Sequence, residues 1–196
     1  MKQMKNEQIL KLTSPMCPTN NHYMNYRVAK KGSYSFIQAY KPAETIKYER
    51  DFKKIIEKAL EEQHWETPTK DTFIYMDCDF YFHKKGIDPN NCYKVPCDVL
   101  TSKGVWLDDD MVLNRSQRVY FDSKNPRIEI TISIAPYIGI FDNLEHFNKF
   151  LSENCNKCTK GGANTRCSIL RKAKESRILE EINIQNLICI KKKIKK

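Results

Sequence analysis

Two stretches of strict alternation limit what this chain can fold into. In residues 73–83, FIYMDCDFYFH, the side chains of Ile74, Met76, Cys78, Phe80 and Phe82 fall on one face of an extended strand. Asp77 and Asp79 fall on the other, where they read as a solvated strand face. In residues 127–135, Ile128, Ile130, Ile132 and Ile134 point one way, and Arg127, Glu129, Thr131 and Ser133 the other. A weaker strand is expected over 111–121. The intervening DSKNP is turn chemistry, so this strand and the isoleucine strand are predicted to form an antiparallel hairpin.

Between these strands and around them the period changes. Tyr48, Phe52, Ile55, Ile56, Ala59 and Leu60 recur at helical spacing, which predicts a helix from Ala43 to Glu62 with Pro42 at its start. Asp142 and Glu145 resemble a capping box and open a short helix through about Ser152, with Leu144, Phe147, Phe150 and Leu151 inward. Residues 13–40 are broken by Pro15, Pro18 and an Asn-Asn pair, and read as loop with short strand. Strands with unevenly placed helices make the chain α+β. Its 196 residues allow one domain, or one domain with a small appendage. No apolar stretch approaches the ~18 residues that span a bilayer, so no membrane role is expected. The opening MKQMKNEQILKL has no signal-peptide pattern. Eight cysteines in such a chain are expected to be thiols or metal ligands rather than disulfides.

Charge is distributed unevenly. The net charge is +10, and residues 151–196 alone hold 12 Lys/Arg against 4 Asp/Glu. The end of the chain therefore reads either as a solubilising tail or as a contact surface for phosphates. Carboxylates concentrate elsewhere. In 86–113, GIDPNNCYKVPCDVLTSKGVWLDDDMVL, Asp88 precedes two asparagines, and a short helix is expected from Asn91 to about Ser102, distorted early by Pro96. On it Asn91, Lys94 and Asp98 share a face. Gly104 ends it, and Trp106-Leu107 anchor the run Asp108-Asp109-Asp110 before the next strand. Carboxylates held in this way suit Mg²⁺, which takes one or two of them with water and substrate phosphate. A nearby lysine can neutralise charge that develops on phosphate.

The string DPNNCYK, then a helix, then GVWLDDDMV resembles the RusA family of Holliday junction resolvases. The resemblance extends from the amino-terminal PTNNHYMNYR segment to the RIEITI strand, roughly residues 10–135. It implies a mixed or antiparallel sheet with helices packed on it, in a nuclease core over residues 1–140. It also implies a homodimeric, Mg²⁺-dependent endonuclease (Mn²⁺ as the alternative ion) that nicks four-way junctions symmetrically in DNA recombination and repair. A cytoplasmic setting, bacterial or phage-infected, goes with it. By resemblance Asp88 and Asp109 match metal-binding aspartates, Asp108 an acidic neighbour, Lys94 the catalytic lysine and Asn91 the Asn of the motif. Asn90 stands where the family pattern has a second metal-binding Asp; its carbonyl can still be a ligand, at the loss of a charge. The other implied reading is a DNA-binding regulatory protein that keeps the fold without cleaving. His22 and Arg27 are candidate DNA contacts, as are Arg171 and Lys174 at the basic end.

Residues 141–196 read as a helical, basic, cysteine-containing extension. Cys155-x-x-Cys158 has zinc-knuckle spacing, followed by the turn Thr159-Lys160-Gly161-Gly162. Cys167 opens a helix expected over 168–182, and Cys189 follows it. These four are candidate Zn²⁺ ligands, with unrelated thiols as the alternative. Cys78 reads as core. Cys92 and Cys97 flank Lys94 with no paired base, which argues against a nucleophile.

Overall fold

The computed structural model describes residues 8–70, 72–156, 158–161 and 167–193. They form two compact units, each with its own apolar core. Residues 8–70 and 74–134 make the first; residues 72–73 and those from Ala135 onward make the second. The fold is α+β.

In the first unit a mixed four-stranded sheet has the order β1 (Ile9–Pro15), β6 (Arg127–Ile134), β4 (Ile74–Phe82), β5 (Val112–Phe121). The alternating residues of β4 and β6 pair antiparallel, with Ile74 opposite Ile134 and Phe80 opposite Ile128. Helices α1 (Ala43–Glu62) and α2 (Lys94–Ser102) pack on the face that carries Met76, Cys78, Phe80, Ile130 and Ile132. Helix α1 has the bounds expected from its period. It buries Tyr48, Phe52, Ile56 and Ala59.

β5 and β6 do not pair as the expected hairpin. β4 lies between them, parallel to β5 and antiparallel to β6. The reason is burial. Every inward residue of β4 is at most 2% exposed, so this strand gains most at the sheet centre with both edges paired, whereas β5 is largely exposed and takes the edge. The turn after β5 has only to cross one strand, about 10 Å. Asp122 accepts hydrogen bonds there from the N–H groups of Lys124 and Asn125 (3.1 and 3.0 Å).

Residues 9–40 hold more strand than the reading of 13–40 as loop with short strand suggests. β1 pairs along β6, with Leu10, Leu12 and Ser14 inward. The buried Ser14 hydroxyl shares a 2.7 Å hydrogen bond with the Tyr48 hydroxyl, which is why a polar residue fits there. β2 (Asn25–Lys31) and β3 (Tyr34–Tyr40) form a separate hairpin with Val28 opposite Ile37.

The second unit holds α3 (Leu144–Phe150), a π turn (Leu151–Cys155), α4 (Ser168–Lys174) and a two-residue ladder of β7 (Ile182–Asn183) with β8 (Ile188–Cys189). The cap of α3 is Asn143, whose Oδ1 accepts the His146 N–H at 2.8 Å; Asp142 instead pairs with the His146 ring. Helix α4 ends at Lys174, well short of 182. Ser176 takes φ +61°, a left-handed turn that lets Ile182 reach the core and pair with Cys189. Gly162 of the expected turn lies outside the described residues. No helix among the described residues is long and apolar enough to cross a membrane.

Candidate active site

After β4 the chain turns back across the sheet, and that return positions the acidic motif. Asp88 caps a 3₁₀ turn (Pro89–Cys92): its Oδ1 accepts the Asn90 N–H at 2.9 Å, and its Oδ2 the Asn91 side-chain amide at 3.5 Å. The opening segment docks on this turn. The Asn20 N–H donates to the Asn91 carbonyl (2.9 Å), and the Cys17 thiol to the Cys92 carbonyl (3.3 Å). Asn20 Oδ1, buried beside the turn, has no hydrogen-bond partner among the described residues.

Helix α2 then runs beside the start of β5. The Tyr93 hydroxyl meets Ser116 at 2.7 Å, and the Cys97 thiol meets Asn114 at 3.5 Å. Pro96 sits in the first turn of α2, where its missing N–H is not needed. The helix closes in a Schellman motif: Gly104 N–H to Thr101 O (3.0 Å) and Val105 N–H to Leu100 O (3.1 Å), with Gly104 at φ +71°. Val105 and Trp106 are then buried, and the indole N–H donates to Thr101 Oγ1 at 2.7 Å. Leu107 is exposed, so the anchor is Val105-Trp106 rather than Trp106-Leu107. Asp108 caps the next 3₁₀ turn (Asp109–Met111) through Asp109 N–H (2.8 Å).

Lys94 opens α2, with its Nζ 3.3 Å from Asp98 and 5.9 Å from the centre of the Tyr23 ring. The Asp98 hydrogen bond and charge, with Asp109 nearby, hold the ammonium above the ordinary lysine value, so it is charged at neutral pH. Cys97 is pushed up to about 12, by burial first and then by Asp109. It is a buried thiol, as is Cys78, and Cys92 is also buried; none has the exposure of a nucleophile.

Lys94 thus has Asp98, Tyr23 and Asp109 within range, and Cys97 has Asp98 and Asp109. Asp88, Asn90, Asn91 and Asn20 gather on the turn that precedes it. Asp98 was visible from its i,i+4 spacing to Lys94; the roles of Tyr23 and Asn20 had no signal beyond their place in PTNNHYMNYR. Among the described residues, no group of three or more His, Cys, Asp or Glu is set to hold a metal ion, so Asp88, Asp108 and Asp109 do not form a finished cage. The donor set is oxygen-only and exposed, which fits a hard cation that keeps several waters and takes ligands from its substrate.

A second group of acids lies on the sheet face opposite α1 and α2. There a cleft of about 770 Å³ is lined by Lys11, Asp77, Asp79, Arg115, Gln117 and Glu129, among others. Asp77 is not simply solvated. Arg115 grips it with two bonds (2.6 and 2.5 Å), and Gln117 adds a third (2.6 Å). Its charge is already matched, and none of the motif residues lines this cleft. The motif around α2 is the better candidate for chemistry.

A family model described as Endodeoxyribonuclease RusA matches residues 15–133, more than half of the chain. The chain belongs to the RusA family. No curated protein matches it. The RusA match spans the Asp88 turn, α2 and the Asp108–Asp110 run, and ends on β6. Of the remaining candidate contacts, His22 and Arg27 lie inside the RusA match and both are exposed. Arg27 is in β2, bonded to Gln38 (3.0 Å) with its guanidinium over the Tyr40 ring. Arg171 and Lys174 lie on α4 in the second unit, outside the match.

Proposed function

We propose that the protein is a Mg²⁺-dependent endodeoxyribonuclease that binds four-way DNA junctions and resolves them by paired, symmetric nicks. The observation that carries this reading is the arrangement of Asp88, Lys94 and Asp109 around one short helix, inside the stretch that defines the family. Asp88, Asp109 and the carbonyl of Asn90, with Asp108 beside them, would hold the metal, which when bound polarises a phosphodiester and supplies an activated water. Lys94 stays charged and offsets negative charge on the phosphate or leaving oxygen as it develops. Mn²⁺ has the same oxygen preference and would substitute.

Cutting two strands needs two sites, so two copies of the chain act together. The β2–β3 hairpin supports this: Tyr26, Val28, Tyr34 and Ile37 are all at least 70% exposed, more apolar surface than a solitary hairpin leaves without a partner. Asn91, His22 and Arg27 are assigned to DNA contacts on the first unit. The extension over 141–196 is assigned as a basic, cysteine-containing module, with Arg171 and Lys174 as further phosphate contacts.

One observation favours a second reading. Asn90 removes a charge from the metal set, which suits a junction-binding regulator that does not cut. A labelled four-way junction and a linear duplex of the same sequence, each with and without Mg²⁺, separate the two. Nicks that require both the junction and the metal support the nuclease. A retarded junction with no nicks supports the regulator.

A further inference from the structure

Away from the motif, the densest unassigned chemistry lies in the second unit, where four cysteines from three chain segments line one small cavity. Its volume is about 20 Å³, and Cys155, Cys158, Cys167 and Cys189 share it with Phe150, Leu170 and Asn154. That is room for one particle of about water size. We propose that these four cysteines form a structural zinc site that staples the second unit. The proposal is independent of the nuclease reading.

Three features of the backbone build the site. First, the chain folds into a knuckle after the π turn: Cys158 N–H donates to Cys155 O (3.1 Å), and Gly161 N–H to Cys158 O (3.1 Å). A side chain at Gly161 would put its Cβ 2.2 Å from Cys155 O, so only glycine allows the chain to pass. Second, the Asn156 N–H donates to Leu151 O (3.1 Å), which closes the π turn immediately before the knuckle. Third, the buried Asn154 ties the knuckle to the last segment. Its Oδ1 accepts the Cys189 N–H (3.0 Å), and its amide donates to Leu187 O (2.8 Å) and Phe150 O (3.1 Å). Thr159 N–H to Lys193 O (2.8 Å) closes the same seam.

The four cysteines face one cavity. Cys155 and Cys158 are buried, and Cys167 and Cys189 are half-buried, all as free thiols. No three of these side chains stand at metal-holding geometry, so binding has to draw the sulfurs together. Four thiols bind one Zn²⁺ by releasing four protons to solvent, which leaves a net charge of −2 that Lys160 and Lys191, which line the same cavity, offset. The unit has reason to need the staple: among its described residues the buried apolar cluster is small, with Phe141 and Phe150 its largest members.

The test uses the full chain, purified without chelator. Elemental analysis should give about one zinc per chain, and X-ray absorption four sulfurs at ~2.3 Å. Cys158→Ser and Cys189→Ser should each lose the zinc, while Cys17→Ser, in the other unit, keeps it. Metal-free protein with four reactive thiols, disulfides among the four, iron in place of zinc, or a zinc shell with fewer than four sulfurs would each overturn the proposal. The absorption measurement on the unmutated chain decides even if a serine variant does not fold. None of these readouts depends on DNA cleavage.

Discussion

Replacing Lys94 by alanine separates a catalytic charge from a structural one, because the structure makes the structural part small. Lys94 and Asp98 are each roughly half exposed, 3.3 Å apart on one helix turn. An exposed i,i+4 pair contributes about 0.3–0.5 kcal/mol, and a cation over a ring at an exposed site about 0.5–1 kcal/mol. Losing both costs about 1 kcal/mol, a Tm shift of about 2–4 °C in a chain of this size. A group that stabilises charge in the transition state carries far more: its loss slows cleavage by about 10²–10³, or about 2.7–4 kcal/mol. The assay is single-turnover nicking of a labelled four-way junction, alongside gel-shift affinity across a salt series. Lys94→Ala should cut at least about a hundredfold more slowly with nearly unchanged affinity. The raised lysine value has a pH consequence. The ammonium and its pairing are intact below the ordinary lysine range and are lost only as pH rises past the higher folded value. The rate should therefore not fall through deprotonation of Lys94 between pH 7 and the ordinary value of 10.5. Near wild-type cleavage by Lys94→Ala would refute the assignment. Equally, weaker binding with a salt slope reduced by about one unit would make Lys94 a phosphate contact only.

Three further outcomes are expected. Asp88→Asn and Asp109→Asn should each abolish metal-dependent cleavage while junction binding holds or tightens, because a ligand is lost along with repulsion towards phosphate; nicking by either at wild-type rate removes that residue from the mechanism. Asn90→Asp restores a charged ligand and should lower the Mg²⁺ concentration at half-maximal activity, read from a metal titration; an unchanged or higher midpoint places Asn90 away from the metal. Gly104→Ala meets no atom within 4 Å, so its cost is the left-handed backbone alone, about 1–2 kcal/mol, seen as a lower Tm together with slower cleavage as the Trp106–Asp109 segment shifts.

Where one face of an element is buried, the sequence states it. The alternation in β4 and β6 and the helical period of α1 are traces of that burial, and all three elements lie where their patterns predict. The β2–β3 hairpin is exposed on both faces, so its residues carry no alternation to read. Strand order was hidden for a different reason. The turn after β5 fits a tight hairpin and a one-strand crossing equally well, and only the competition for the centre of the sheet decides between them. Helix α4 ends early through a tertiary demand, the return of Ile182 to its partner Cys189, which local helix preference does not contain. In the candidate site, the pairing of Lys94 with Asp98 was legible from spacing, while Asp88 and Asp109 were singled out by the family resemblance. Their supports were not: the Asn20–Asn91 bond joins positions 71 residues apart, and the Schellman closure that aims Trp106 inward is a backbone event.

Mapping nicks on a four-way junction with each of its four strands labelled in turn tests paired resolution itself. With Mg²⁺, incisions should fall in two opposing strands at symmetry-related positions, giving nicked duplexes that DNA ligase seals. Bound but uncut junctions, or cuts scattered over all four strands and equally over linear duplex, would contradict it.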